Sequence, residues 1–216
     1  ELSSVEATSI WMQYLTGYYP IVDIGNSQDG DFVLVTAAST SAGLGAIEIA
    51  RCTRASVIAT TRSGAKSDAI LSAGAHHVIA TEKENVAERI MEISGGKGVR
   101  VIYDAVGGSL YDRYTDALAE DAIVFLYGLL DGESTKVDVV KMVRKNATLY
   151  PYSMFNEVRH PDRLQRGMAY ILDRLKDGRL KPRINDRIFT MDDAIESYRH
   201  MLTGEQVGKI VVRVSD

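Results

Sequence analysis

The sequence contains little of what marks secreted, membrane-spanning or nucleic-acid-binding proteins. It has one cysteine, Cys52, in 216 residues, which excludes an internal disulfide framework and favours a reducing, cytoplasmic compartment. Basic residues do not outnumber acidic ones, and a net charge of −4 at pH 7 offers neither a basic surface for nucleic acid nor attraction to an anionic membrane. No apolar run reaches the length of a membrane span. The composition, at 45% hydrophobic and 25% charged residues, is that of an ordinary globular protein.

The most informative stretch is an apolar run over residues 32–35 that leads through small residues into a helical pattern. This order predicts a buried strand, a tight turn and a helix, which together form the first βα unit of a dinucleotide-binding fold. A pyrophosphate binds at the N-terminus of such a helix where small side chains let the backbone N–H groups come close. The residues that we expect to surround the pyrophosphate are Ser39, Thr40, Ser41, Ala42 and Gly43.

The glycine fingerprint of this turn is incomplete. Ala37, Thr40 and Gly43 stand at three-residue spacing, and only the last of them is glycine. Gly43 would let the helix pack closely on its strand, while Thr40 and Ser41 would add hydroxyl groups to the backbone donors. Because many α/β proteins use small residues in such turns for packing alone, the turn by itself leaves both interpretations open.

Strands and helices alternate along the rest of the chain, with short connections between them. Further strands are predicted over residues 56–61, 77–80, 99–104, 122–127 and 148–152. Such alternation requires right-handed crossovers and a parallel sheet that is covered on both faces. We therefore expect an α/β fold of the Rossmann type, a doubly wound parallel sheet with six strands in the order 3-2-1-4-5-6.

The sequence divides into three expected regions. Residues 1–28 form an N-terminal helix and linker, residues 29–178 the dinucleotide-binding domain, and residues 179–216 a C-terminal extension with a helix and a strand. The chain begins with Glu1 and enters a helical pattern almost at once, from which we expect a piece of a longer polypeptide.

Capping motifs predict where several helices begin and end. Ser3 and Glu6 form a capping box for the first helix, which we expect to end at Gly17. Ser63 is the predicted cap of the helix after the second strand, and residues 190–193 form a second capping box near the C-terminus.

The end of the second strand selects between the two nicotinamide dinucleotides. A carboxylate there, about 20 residues after the glycine turn, would bind the ribose 2′-hydroxyl of NAD, whereas a cation accommodates the 2′-phosphate of NADP. The residues present are Thr61, Arg62, Ser63 and Lys66, with no acid among them. Arg62 and Lys66 together would clamp a phosphate dianion. The alternative is that both are ordinary solvated side chains, but their position favours NADP.

Glycines at the carboxyl ends of the fourth and fifth strands mark a second part of the expected site. Gly107, Gly108 and Gly128 would line the crevice where the strand order reverses, which is where open α/β sheets bind their ligands. Simple turn chemistry is the alternative explanation for these glycines. Tyr127 ends the fifth strand beside the crevice, while Tyr103 has the pattern of a core residue.

Motifs for metal binding and for nucleophilic catalysis are weak in this sequence. His76 and His77 are adjacent but have no further ligands at suitable spacing, so we expect no metal site. No Ser/His/Asp or Cys/His arrangement stands out, and no catalytic residue is identified.

Taken together, these motifs resemble the medium-chain dehydrogenase/reductase superfamily, and within it the zinc-independent quinone oxidoreductase branch. The resemblance extends over essentially the whole chain. The segments that carry it are residues 33–43, 59–62, 73–79, 95–99, 103–108, 126–128 and 208–212.

This resemblance implies NADPH-dependent reduction of quinones, enones or related carbonyl compounds by hydride transfer. It implies that the pyrophosphate lies on residues 39–43 and the 2′-phosphate at Arg62 and Lys66. It also implies pairing of two subunits into a homodimer through residues 148–152. The residues expected near the nicotinamide are Val106, Gly107, Tyr127, Gly128 and Phe155.

The resemblance also implies an N-terminal catalytic domain that covers the nicotinamide and that this sequence does not contain. Without it, the first helix and the last strand would leave apolar surface uncovered. An alternative function is therefore a non-catalytic dinucleotide-binding or interaction module. Turnover with NADPH would distinguish the enzyme from the module.

Overall fold

A parallel sheet of six strands forms the centre of the computed structural model, which describes residues 2–214. The strand order is β3-β2-β1-β4-β5-β6, so the predicted Rossmann-type fold and its strand order are confirmed. The strands are β1 (Phe32–Val35), β2 (Ser56–Thr61), β3 (His77–Ala80), β4 (Val99–Asp104), β5 (Leu118–Leu126) and β6 (Thr148–Pro151). The order reverses between β1 and β4, which places a crevice at the carboxyl ends of these two strands.

Helices cover both faces of the sheet. They are α1 (Ser4–Ala7), α2 (Trp11–Tyr18), a π-helix (Tyr19–Ile24), α3 (Ser41–Cys52), α4 (Ser67–Ser72), α5 (Val86–Ile93), α6 (Gly108–Thr115), α7 (Val139–Arg144), α8 (Met154–Glu157), α9 (Pro161–Lys176) and α10 (Ala194–Thr203). Side chains alternate along a strand, so Val33 and Val35 belong to the apolar cluster that includes side chains of α2, α3 and α9, while Leu34 belongs to the cluster that includes side chains of α5 and α6. No helix within residues 2–214 combines the length and apolar character needed to span a membrane.

The first helix differs from its predicted course. The capping box of Ser3 and Glu6 is present, but α1 is short, and a separate α2 continues through Gly17 and runs directly into the π-helix. A Cβ added at Gly17 would lie 3.2 Å from Ala46 Cα, so this glycine allows α2 to pack closely on α3. The prediction that Gly17 ends the helix was therefore wrong, because the glycine serves packing between helices.

Other boundaries differ for local reasons. Ser63 does not cap α4; its Oγ accepts a hydrogen bond from the N–H of Ala65 at 3.4 Å, and α4 begins only at Ser67. Residues 190–193 do not form a capping box, because Thr190 Oγ1 donates to the Asp193 carboxylate instead of accepting from the backbone. The bounds of β2, β3 and β4 are as predicted, whereas β5 begins earlier and β6 ends at Pro151.

The C-terminal part folds as a small unit against the main sheet. β7 (Ile184–Thr190) and β8 (Lys209–Arg213) pair in parallel and are connected through α10. The buried carboxylate of Glu48 on α3 attaches this unit, since it accepts from Tyr14 Oη at 2.8 Å, Lys181 N at 3.1 Å and Arg183 Nε at 3.1 Å. Burial raises the pKa of Glu48, while these three donors favour its ionised form.

Candidate functional site

The predicted site residues lie at one edge of the sheet, because the carboxyl ends of parallel strands share an edge. Four loops meet there: residues 36–40 after β1, 62–66 after β2, 105–107 after β4 and 127–138 after β5. The crevice between the first and third of these loops is the topological switch point of the sheet.

The turn after β1 brings its backbone unusually close to α3. Ala37 adopts a φ of +45°, a conformation that favours glycine, although the residue at this position is alanine. A Cβ added at Gly43 would lie 2.7 Å from Ala37 O and 2.8 Å from Ala38 Cα. Gly43 therefore permits the close packing of helix and turn that the sequence predicted.

The hydroxyl groups of this turn already have partners within the protein. Thr40 is the N-cap of α3, and its Oγ1 accepts from the N–H of Gly43 at 3.1 Å. Ser41 Oγ donates to Gln13 Oε1 at 2.9 Å, and Ser39 Oγ accepts from Lys66 Nζ at 3.3 Å. These three side chains thus stabilise the turn, and the backbone of the turn remains available to bind a ligand.

Unused donors converge on the N-terminus of α3. The backbone N–H groups of Ser41 and Ala42, the first two positions of this 12-residue helix, donate no hydrogen bond within residues 2–214. The amide of Gln13 on α2 is 2% exposed, and its Nε2 has no hydrogen-bond partner in the same range. Free N–H groups at the positive end of a helix fit a phosphate group.

Gln13 was not predicted as a site residue. It lies in the largely apolar pattern of α2, far from the turn in sequence, and only the packing of α2 on α3 brings it beside Ser41. No local motif signals this contact.

The two predicted phosphate-binding side chains in the loop after β2, Arg62 and Lys66, differ in their exposure and in their hydrogen bonds. The guanidinium of Arg62 is exposed and makes no hydrogen bond or ion pair to residues 2–214. Lys66 is half-buried, and its Nζ donates to Ser39 Oγ, to Gln206 O at 2.9 Å and to Gly204 O. Burial, with a further contribution from the nearby guanidinium of Arg62, lowers the pKa of Lys66.

A buried carboxylate fixes the loop after β4. Asp104 is fully buried, and its Oδ1 accepts from Thr36 Oγ1 at 2.7 Å and from the N–H groups of Val106 at 2.8 Å and Gly107 at 3.2 Å. Its Oδ2 accepts from Tyr114 Oη at 2.7 Å. Asp104 therefore connects the loops on both sides of the crevice, a role that the sequence analysis did not assign to it.

Of the residues predicted near the nicotinamide, Val106, Gly107, Tyr127 and Gly128 lie in the loops that follow β4 and β5. A Cβ at Gly128 would lie 2.5 Å from Ala105 O, so glycine is required where the loops after β4 and β5 meet. The ring of Tyr127 stacks on Tyr103 with 4.1 Å between centroids, and Tyr103 is a core residue as predicted. Phe155, in α8, is exposed.

A family model shows where this chain belongs. Residues 42–172, from the start of α3 through most of α9, match the model of the zinc-binding dehydrogenases. The chain is a member of that family. This places it in the medium-chain dehydrogenase/reductase superfamily, as the sequence motifs implied, and the similarity to quinone oxidoreductases fits its zinc-independent branch.

Individual relatives cover much of the chain, but the chain covers only part of them. It is 26% identical over 214 residues to a component of the phenolphthiocerol/phthiocerol polyketide synthase of Mycobacterium tuberculosis, which is 99% of this chain and 10% of that protein. It is 32% identical over 149 residues to quinone oxidoreductase 1 of Escherichia coli, 69% of this chain and 45% of that protein. The chain thus spans less than half the length of these two curated relatives.

Solved structures show the same architecture. The Escherichia coli quinone oxidoreductase in complex with NADPH superposes with a TM-score of 0.90 at 25% identity, covering 99% of this chain and 66% of that one. Within residues 2–214, no group of three or more His, Cys, Asp or Glu side chains is arranged to hold a metal ion.

Proposed function

We propose that this chain is the NADP-binding part of an oxidoreductase that transfers hydride from NADPH to a quinone, an enone or a related carbonyl compound. The observation that carries the proposal is the set of unused donors at the sheet edge. It comprises two backbone N–H groups at the N-terminus of α3 and the unpaired guanidinium of Arg62, all within residues 2–214. The similar quinone oxidoreductase of Escherichia coli, whose structure holds NADPH, supports the choice of ligand.

Each part of the site has a distinct task in this proposal. The N–H groups of Ser41 and Ala42 bind the pyrophosphate, and Arg62 binds the 2′-phosphate. Asp104 holds the Val106–Gly107 turn so that it forms one wall of the nicotinamide site. Bound NADPH would supply the hydride, and the protein would supply position and electrostatics, with no acid or base of this chain assigned.

Turnover by the 216-residue chain tests this function. The chain is mixed with NADPH and a benzoquinone, and the loss of the reduced-nicotinamide absorbance is followed, with NADH as the comparison. We expect oxidation that depends on protein and is faster with NADPH. Binding of NADPH without any turnover would favour the non-catalytic module. A chain that neither binds nor oxidises NADPH would contradict the proposal.

We also propose that two copies pair through β6, as the superfamily resemblance implies, and that the protein is cytoplasmic. β6 pairs only with β5 within the described residues, so its outer backbone groups are available for another strand. α7, which leads into β6, exposes Val139, Val140 and Val143. Cys52 is the only cysteine in the sequence, so the chain has no internal disulfide, as suits a reducing compartment.

Dimerisation is tested by sedimentation of the unaltered chain and of a variant with both Val140→Asp and Val143→Asp. Val143 is 73% exposed, so the substitutions should leave the fold intact while introducing charge into the apolar patch. We expect a dimer for the unaltered chain and a monomer for the variant. Leu202→Asp, on exposed α10, is the control that should remain dimeric, and a monomeric unaltered chain would contradict the proposal.

A further inference from the structure

Part of the loop that follows β5, segment 129–135, is fixed to the loop after β4. The N–H of Leu130 donates to Ala105 O at 3.1 Å. The N–H of Asp131 donates to Val106 O, also at 3.1 Å. Contact between β4 and β5 thus continues beyond the ends of both strands. Segment 129–135 therefore lies beside the Val106–Gly107 turn, which we propose forms one wall of the nicotinamide site.

Two side chains of the same segment cap the N-terminus of α6. Thr135 Oγ1 accepts a hydrogen bond from the N–H of Gly108 at 2.8 Å. Asp131 Oδ2 accepts a hydrogen bond from the N–H of Ser109 at 2.8 Å. These N–H groups are the first two of α6, whose N-cap, Gly107, has no side chain that could accept from them. Segment 129–135 therefore supplies the cap of α6, and its own position is fixed in return.

Segment 129–135 presents two adjacent leucines to solvent. Leu129 is 61% exposed and Leu130 is 68% exposed. A Cβ added at Gly107 would lie 3.2 Å from Leu129 Cδ2, so Leu129 lies against the backbone of Gly107 and remains open on its other side. An exposed apolar surface that hydrogen bonds hold beside a proposed reaction site is typical of a binding subsite.

The charged residues that follow the two leucines are mostly acidic. Between residues 131 and 138, Asp131, Glu133 and Asp138 outnumber Lys136, and Glu133 is exposed. An anionic group bound there would meet charge of its own sign, whereas a neutral apolar group would gain from covering the leucines. The segment therefore favours a ligand group that is both apolar and uncharged.

We propose that Leu129 and Leu130 form a subsite for the apolar, non-reacting part of a neutral substrate, and that Asp131 and Thr135 are positioning residues that hold the two leucines beside the nicotinamide site. This inference rests on the proposed function and deepens it. Among quinones, enones and related carbonyl compounds, the subsite selects uncharged ones that carry a second ring or an alkyl group next to the reducible group. Binding energy from such a remote group raises the rate at the reacting centre.

A variant with both Leu129→Ser and Leu130→Ser tests the subsite. With NADPH as the reductant, kcat/KM is measured for naphthoquinone, which has a second ring, and for benzoquinone, which lacks it. We expect the ratio of the two values to fall about tenfold in the variant. Leu71→Ser, at an exposed leucine of α4, is the control and should leave the ratio unchanged. An unchanged ratio in the double variant would overturn the subsite, and an accompanying loss of dimerisation would assign the leucines to a subunit contact instead.

Thr135→Val tests the positioning role, because valine keeps the shape of threonine and removes the acceptor for the N–H of Gly108. We expect the same ratio of kcat/KM values to fall, and amide hydrogen exchange at residues 129–135 to become faster. Thr135→Ser keeps the hydroxyl group and should restore both to the values of the unaltered chain. Unchanged exchange in the valine variant would contradict the role of Thr135.

A binding measurement separates this inference from the function on which it rests. If the unaltered chain reduces no quinone, the proposed function fails, while saturation-transfer NMR still decides the subsite. We expect the chain to transfer saturation to the neutral probe naphthylmethanol more than to the anionic naphthoate, and this transfer to be lost in the double leucine variant. Equal transfer to both probes, or transfer that persists in the variant, would overturn the subsite.

Discussion

Replacing Arg62 with aspartate is expected to weaken NADPH binding by about a hundredfold while changing NADH binding less than about tenfold. The guanidinium is exposed and unpaired within residues 2–214, so a 2′-phosphate is the partner that would gain most from it. Loss of a charge-assisted contact and introduction of a like charge would together cost about 2–3 kcal/mol for NADPH. NADH has a hydroxyl group at this position, and a carboxylate readily accepts a hydrogen bond from that hydroxyl group.

Calorimetric titration of the Arg62→Asp variant with both dinucleotides measures this change. Arg54→Asp is the matched control, since Arg54 precedes β2 at the opposite edge of the sheet and its side chain forms an exposed ion pair with Asp29 at 3.6 Å. The control should bind both dinucleotides as the unaltered chain does. Equal losses for NADPH and NADH in the Arg62 variant would show that Arg62 does not bind the 2′-phosphate.

Replacing Asp104 with alanine is expected to lower the free energy of unfolding by about 4 kcal/mol, because it leaves several buried donors without an acceptor. The hydroxyl groups of Thr36 and Tyr114 and the N–H groups of Val106 and Gly107 all donate to this carboxylate. Asp104→Asn keeps one oxygen acceptor and should lose about half as much. Urea denaturation followed by circular dichroism measures both variants.

Asp116→Ala is the control for this measurement, because Asp116 is exposed and its side chain makes a surface ion pair with Lys141 at 3.0 Å. Its stability should stay within about 0.5 kcal/mol of the unaltered chain. The Asp104→Asn variant should also bind NADPH more weakly, since a neutral amide oxygen is a weaker acceptor for the N–H groups of Val106 and Gly107 than a carboxylate is. An Asp104→Ala variant as stable as the control would contradict the role assigned to this carboxylate.

The fold was predictable because the central strands of its sheet are buried on both faces. Such strands appear in a sequence as continuous apolar runs that stop at small or polar residues, and β2 and β4 were predicted with the bounds that the structure has. Gly17 was misjudged because a glycine that permits contact between two helices has the same local pattern as one that ends a helix. The role of Gly17 is visible only in the folded structure, where Gly17 packs against Ala46 on α3.

The site was predictable only where its chemistry is local. The turn of residues 39–43 and the cation at the end of β2 follow from short motifs. Other hydrogen bonds around the site cannot be predicted from short motifs, because the two partners in each are distant in the sequence. Gln13 meets Ser41 through the packing of α2 on α3, and Lys66 meets Gln206 because the C-terminal unit folds back onto the sheet edge.

Calorimetric titration of the unaltered 216-residue chain with NADPH and with NADH tests the central claim most directly. The unused donors at α3 and the unpaired Arg62 predict that both dinucleotides bind, and that NADPH binds at least about tenfold more tightly, since a phosphate bound by a guanidinium adds more than about 1.4 kcal/mol. Equal affinities would contradict the role of Arg62, and no binding of either dinucleotide would contradict the assignment of this sheet edge as a cofactor site.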